Sequence, residues 1–283
     1  MTAAAIATQG LTRRFDQLMA VDGLTLTVAT GEIFGMLGHN GAGKTTTVRL
    51  LNGVLAADGG TTAVLGMDPA VEGPAVRRRT GVLTETPSLD DRLSGRANLA
   101  IYAQIYGLPP AEIPARTAAL LDRFGLDERA DDKVAGYSTG MRQRLALART
   151  LIHDPELIFL DEPTAGLDPA ATREVHELIL ALSRERQRTV FLCTHNLIEA
   201  QRLCARVAVM AHGRMLAAGS PRELGQRYAQ RQRVMLRVAP EQVAQAKEEI
   251  GAWSTISVTA DPSAPGRMTL HGLAEARIPD LVR

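Results

Sequence analysis

Three short stretches carry side chains whose types and spacing could handle a phosphorylated ligand. The first, GHNGAGKT (Gly38–Thr45), fits the pattern Gly-x4-Gly-Lys-Ser/Thr and lies between an apolar run, EIFGMLG, and a helical stretch, KTTTVRLLNG. Glycines at these positions let backbone N–H groups turn toward phosphate oxygens with no Cβ in the way. The helix start that follows adds a partial positive charge. In such a loop Lys44 reaches the β- and γ-phosphates of a nucleotide, and the Thr45 hydroxyl coordinates Mg²⁺. The expected phosphate-binding residues are therefore Gly38, His39, Asn40, Gly41, Ala42, Gly43, Lys44, Thr45 and Thr46.

The second stretch, LIFLDEP, runs four apolar residues, Leu157 to Leu160, into Asp161 and Glu162. A buried strand of this kind delivers both carboxylates at its C-terminal end, where open α/β sheets bind ligands. Asp161 is expected in the Mg²⁺ shell through water, leaving Glu162 to orient or deprotonate an attacking water. Together the two stretches predict a nucleotide hydrolase. The third, KVAGYSTGMRQRLALAR (Lys133–Arg149), places Ser138 as an N-cap before a helix. Ser138 and the N–H groups of that helix start form an anion site.

The elements that must position these residues follow from patterning. The chain has 283 residues, 45% hydrophobic and 22% charged, enough apolar mass for a sizeable core. Residues 1–31 alternate as short strands, with Asp22-Gly23 as a turn signal and Leu24, Leu26 and Val28 on one strand face. Helix KTTTVRLL is stopped by Asn52-Gly53. Residues from about 88 to 140, rich in Ala, Leu and Arg, read as an inserted helical subdomain. Three buried-strand candidates, ELIFLDEP, TVFLCTH and ARVAVMAHG, then alternate with helices. That alternation predicts a largely parallel sheet covered by helices on both faces, an α/β fold. Residues 1–225 form the expected main domain. Gly219 to Arg233 reads as charged and loop-like, and 232–283 as a small α+β accessory domain with strand, helix, strand, strand. The closing AEARIPDLVR reads as a helix just beginning, which suits a shortened chain or a natural end.

With these pieces placed, the chain resembles the ATP-binding-cassette (ABC) ATPases over roughly residues 5–222. The resemblance implies a P-loop NTPase core carrying an antiparallel β subdomain and the inserted helical subdomain. Tyr137-Ser138-Thr139-Gly140-Met141 is similar to that family's signature, Leu-Ser-Gly-Gly-Gln, and departs from it at Tyr137, Thr139 and Met141. By resemblance, Ser138, Thr139 and Gly140 cap the γ-phosphate of ATP held by a second cassette. AGLDP resembles the loop through which Asp168 communicates across the dimer; Asp168-Pro169 is also a good N-cap and first helical pair. The resemblance places His195, in CTH, on the γ-phosphate and Phe15, in LTRRF, against adenine. Where the family often has a glutamine touching Mg²⁺, this chain has Glu85, in GVLTETPSL. The implied catalytic set is Glu162, His195 and Lys44, with Thr45, Asp161 and Glu85 on the metal and ATP and Mg²⁺ as cofactors.

The Tyr-Ser-x-Gly-Met signature resembles exporters related to drug, sodium or polysaccharide efflux. It implies membrane-spanning permease partners, a homodimer enclosing two ATP molecules, and a peripheral place on the cytoplasmic face of the cell membrane. Net charge is +1 and no charged n-region precedes a long apolar run, so neither a nucleic-acid binder nor a signal peptide is expected. Cys193 and Cys204 show no metal or disulfide spacing and are expected to pack as small apolar residues. A second class stays open, a soluble ABC-type ATPase acting on DNA or ribosomes. The stretch between Lys44 and Ser138 carries no sustained heptads and the chain holds one cassette, both of which weigh against it. A cassette that binds ATP without turnover also stays open through Glu85 and Thr139. The arginines Arg77–Arg79 are read as a solvated face.

Overall fold

A computed structural model describes residues 4–86, 88–229, 233–251, 257–260 and 265–271. The chain divides into two compact units, Met1–Pro221 and Arg222–Arg283. The first opens with two long strands, β1 (Ala4–Phe15) and β2 (Leu18–Ala29), paired antiparallel. Leu24, Leu26 and Val28 share the buried face of β2, as period-two alternation requires. Asp22-Gly23 is not the expected turn. Leu11 pairs with Leu24 and Arg13 with Val21, so Asp22 and Gly23 together oppose the single residue Thr12. The local signal marks a bulge inside a continuous strand.

There follow β3 (Ile33–Leu37), α1 (Lys44–Leu51), β4 (Gly59–Val64), α2 (Pro69–Arg79) and β5 (Thr80–Leu83). Next come α3 (Gly95–Ile105), α4 (Ile113–Arg123), α5 (Thr139–Thr150), β6 (Leu157–Asp161) and α6 (Pro169–Arg184). The unit continues with β7 (Thr189–Thr194), α7 (Leu197–Leu203), β8 (Arg206–Ala211) and β9 (Arg214–Gly219). Helix α1 stops at Asn52, as Asn52-Gly53 predicts. Between α3 and α5 the described residues form no strand; an isolated bridge joins Lys133 there to Ser94, the N-cap of α3.

Two sheets share one core. β4 joins the first pair in the order β2-β1-β4, all antiparallel. The larger sheet has the order β5-β6-β7-β3-β8-β9, parallel except that β9 folds back on β8 as a hairpin. β6 and β7 are buried at every residue, which is why they read as unbroken apolar runs. Phe159, Phe191 and Phe34 stand in one row across β6, β7 and β3, with successive ring centroids 5.6 Å apart. Val48 and Leu51 of α1 and Ile6 and Val28 of the antiparallel sheet pack into the same cluster. Burying these side chains contributes roughly 1.5–3 kcal/mol each.

This strand order positions the chemistry. Leu37 pairs with Thr194 and Asp161 with Cys193, so β3, β6 and β7 end side by side. The loops leaving those three ends carry Gly38–Thr45, Glu162 and His195.

The second unit contains β10 (Arg233–Arg237), α9 (Val243–Gly251), β11 (Ser257–Ala260) and β12 (Arg267–His271); α8 (Pro221–Ala229) crosses the division. α8 replaces the loop expected over Gly219–Arg233: its leucine and tyrosine lie among polar residues, a sparse stripe that charge obscures. The sheet order is β10-β12-β11, antiparallel, over a small core of Ile250, Met268 and Leu270. The terminal stretch AEARIPDLVR lies outside the described residues.

Candidate active site

The loop between β3 and α1 is threaded tightly against its neighbours. A Cβ on Gly38 would sit 2.6 Å from the Met210 carbonyl oxygen, and one on Gly43 would collide with the Ala20 carbonyl. Gly43, at φ +106°, is also the N-cap of α1, so only glycine serves there. Lys44 Nζ donates to the Gly38 carbonyl at 2.6 Å and lies 3.1 Å from Glu162 Oε1, an ion pair with both partners buried. Thr45 Oγ1 donates to Asp161 Oδ2 at 2.6 Å. Burial pushes the Asp161 carboxyl above its ordinary range; the Thr45 bond pulls it back, and the charges of Glu162 and Glu85 push it further up.

Glu162 takes a left-handed backbone, φ +51°, which is uncommon outside glycine and is held by its N–H bond to Cys193 at 2.9 Å. Its Oε2 accepts from His195 Nδ1 at 2.9 Å. That bond fixes the His195 tautomer and leaves Nε2 free on a side chain that is 57% exposed. Strand β7 therefore aims His195 at the carboxylate that β6 presents.

Around these groups lies a cleft of about 310 Å³ lined by Phe15, Leu18, Ala20, the loop residues His39 to Thr46, Glu85, Asp161 and Glu162. Phe15, 40% exposed, carries the Arg13 guanidinium 4.7 Å from its ring centroid. Gly38 lines a neighbouring opening with His39, Asn40 and His195. The hydroxyl and carboxylate oxygens of Thr45, Asp161 and Glu85 are hard donors of the type Mg²⁺ takes, and Thr45 and Asp161 already meet.

Ser138, Thr139, Gly140 and Asp168 gather elsewhere, in a pocket of about 330 Å³ that shares no lining residue with the first cleft. Ser138 Oγ caps α5 by accepting from Met141 N–H at 3.2 Å. Asp168 caps α6 by accepting from Ala171 and Ala170 at 3.0 and 2.8 Å, bonds that hold its carboxyl below the ordinary range. The sequence-predicted residues thus form two sets on one chain. Sequence reading missed Leu18 and Ala20 as walls, Arg13 against Phe15, and Gln143, which donates to the Pro163 carbonyl at 2.6 Å. A lone glutamine inside a helix gives no local signal of a distant carbonyl. Of the three arginines read as a solvated face, Arg77 donates to the Asn52 and Gly53 carbonyls and Arg79 forks onto Glu156 at 2.6 and 2.7 Å. Cys193 and Cys204 are free and buried, as expected.

The phosphate loop, the acidic strand end and the capped helix on a mixed sheet define a P-loop ATPase of the ATP-binding-cassette kind. Residues 21–165 match the ABC transporter family. The chain is 44% identical over 220 residues to the daunorubicin/doxorubicin resistance ATP-binding protein DrrA of Streptomyces peucetius, covering 78% of this chain and 66% of that protein. A fluoroquinolones export ATP-binding protein of Mycobacterium tuberculosis is 45% identical over 221 residues, 77% of this chain and 72% of the relative. The Nod factor export ATP-binding protein I of Rhizobium sp. (strain N33) is 41% identical over 224 residues, 79% and 73% respectively. Among solved structures, cbiO1 of Clostridium perfringens, part of the ABC transporter complex cbiONQ, superposes with a TM-score of 0.73 at 26% identity over 88% of this chain and 98% of that one. The chain belongs to the ABC transporter family as an ATP-binding subunit, an ATPase coupled to transport.

Proposed function

We propose that this chain hydrolyses ATP to drive efflux through separate membrane-spanning permease subunits, as a homodimer on the cytoplasmic face of the membrane. The observation that carries the reading is the division of the site. The phosphate loop with Glu162 occupies one cleft and Ser138 with Asp168 occupies another with no shared lining residue, which supports a site completed by a second chain. The relatives named for drug and Nod factor export support export over a role on DNA or ribosomes. Among the described residues no helix is long and apolar enough to cross a membrane.

In this reading residues 1–225 are the cassette, 88–140 its helical subdomain and 232–283 an accessory domain. Phe15 stacks on adenine while the loop amides of Gly38 to Thr46 and Lys44 hold the triphosphate. Thr45, Asp161 and Glu85 would hold Mg²⁺, which when bound neutralises charge on the β- and γ-phosphate oxygens. Glu162, kept in place by His195, orients the attacking water and takes its proton. His195 Nε2 and Lys44 stabilise the charge developing on the γ-phosphate. The second chain contributes Ser138, the amides of Thr139 and Gly140, and Asp168.

Replacing Glu162 tests this directly. Glu162→Gln is expected to slow hydrolysis by on the order of 10²-fold or more. It should retain ATP-Mg²⁺ binding and accumulate a dimer by size-exclusion chromatography. A variant that stays monomeric with ATP-Mg²⁺ and hydrolyses at the wild-type rate would remove Glu162 from its role. Mass spectrometry of proteins copurifying with the tagged variant from native membranes separates the two classes: a stoichiometric multi-span protein supports export, ribosomal or DNA-repair proteins the soluble alternative.

A further inference from the structure

Against the loop that joins Glu162 to Asp168 lies a cluster of polar groups that line neither of the two pockets described above. Glu199, on α7, is 1% exposed, and His176, on α6, is also buried. Glu199 Oε1 accepts from Thr164 Oγ1 at 2.8 Å and lies 3.1 Å from His176 Nε2. Its other oxygen, Oε2, and His176 Nδ1 are buried with no hydrogen-bond partner. Burying such groups opposes folding, which directs attention to the contacts that Glu199 does make.

The cluster's position indicates what it serves. Glu199 sits in the first turn of α7, the helix that starts directly after His195 and is capped by Asn196. His176 belongs to α6, the helix capped by Asp168. Thr164 is two residues past Glu162, inside the loop that ends at Asp168. A single carboxylate thus joins the three segments that carry Glu162, His195 and Asp168. The loop is held on its other side by Gln143 of α5, which donates to the Pro163 carbonyl at 2.6 Å; Ser138 caps that same helix.

We propose that Glu199 is a positioning residue for hydrolysis: through Thr164 it fixes the loop between Glu162 and Asp168, keeping the water-activating carboxylate and the Asp168 pocket in register. The inference rests on the role given to Glu162 above. It requires the hydroxyl of Thr164 rather than its bulk, because the contact to Glu199 is a hydrogen bond. A group that only filled space would require the opposite.

Three variants in one assay separate these cases. Thr164→Val keeps the volume and loses the hydroxyl; Thr164→Ser keeps the hydroxyl and loses a methyl group. ATPase rate against ATP concentration, with nucleotide affinity measured by a fluorescent ATP analogue, gives kcat and binding separately. Thr164→Val is expected to lower kcat by about tenfold, short of the roughly 10²-fold that a 1 Å misplacement of reacting groups can cost, while nucleotide affinity stays within about twofold. Thr164→Ser is expected to keep kcat within about twofold of wild type. Glu162→Gln in parallel reports on the underlying reading. If Glu162→Gln is inactive while Thr164→Val turns over like wild type, or Thr164→Ser is the more impaired of the pair, the positioning role is overturned and the role of Glu162 stands. If Glu162→Gln itself hydrolyses at the wild-type rate, the underlying reading falls and the positioning role with it.

Discussion

Phe15 shows how one side chain can be assigned a measurable share of the site. Arg13 lies over its ring, held by bonds to Asp58 Oδ1 at 2.9 Å and the Ala56 carbonyl at 3.2 Å. The ring also lines the cleft that contains the phosphate loop, which suits a stacked base. Base–aromatic stacking lost on alanine substitution amounts to about 1–3 kcal/mol per base. Phe15→Ala is therefore expected to raise the KM for ATP by roughly 5- to 150-fold with kcat little changed, and Phe15→Trp to preserve KM. Steady-state ATPase kinetics check this; a fall in kcat at unchanged KM would place Phe15 away from the base. At this scale the sequence was most informative where backbone geometry dictates residue type. Gly43 must be glycine because a carbonyl occupies the space of its Cβ, and Lys44, Thr45, Asp161 and Glu162 follow from loop and strand end. Thr164, His176 and Glu199 were not legible. Each looks like an ordinary polar residue until folding brings together positions 35 and 23 residues apart in the chain.

Among the elements, β6 and β7 were legible because burial on both faces leaves unbroken apolar runs. β4, GGTTAV, and β9, RMLAAG, were not, because glycine and alanine carry little strand preference and the less exposed row of each strand holds only one large apolar residue, Val64 and Met215. Pairing with β1 and β8 makes them strands. The junction where α3, α5 and β5 meet holds a second feature absent from the sequence pattern. His153 stacks on Tyr106 with ring centroids 3.7 Å apart and an interplanar angle of 2°, and its Nε2 meets the Thr80 carbonyl at 3.0 Å. Burial holds its imidazole below the ordinary value of 6.5, with the Thr80 bond pulling the other way. The folded state therefore prefers neutral His153. The stabilising contribution is fully present above pH 6.5 and is lost as pH falls from there toward the depressed folded value. Urea unfolding at pH 7.5 and 5.5 is expected to show lower stability at the acid end, with a slope from this group of at most about 1.4 kcal/mol per pH unit. His153→Phe, which keeps the stack, should shrink that difference. An undiminished difference would assign the acid sensitivity to other groups.

For the whole molecule the decisive property is that its two candidate half-sites lie in separate pockets with no lining residue in common. Ser138 caps α5 at one pocket while Lys44 and Glu162 line another, and in the proposed homodimer each site is completed by two chains facing opposite ways around a twofold axis. Complementation exposes this arrangement. Lys44→Ala disables a chain's phosphate loop and leaves its Ser138 pocket intact. Ser138→Asp keeps a good N-cap for α5 but sets a negative charge where the other chain's γ-phosphate would lie. Each variant alone has no intact composite site and is expected to be inactive. In a mixed dimer, the intact loop of the Ser138→Asp chain faces the intact Ser138 pocket of the Lys44→Ala chain, so one of two sites is whole. With random pairing of equal amounts, half the dimers are mixed and ATPase activity should return to about a quarter of wild type. If Ser138 instead served its own chain's nucleotide, no pairing could restore a whole site and the mixture would stay as inactive as its parts. Recovery on mixing therefore reads out the head-to-tail assembly itself, independently of which permease the dimer drives or what that permease carries.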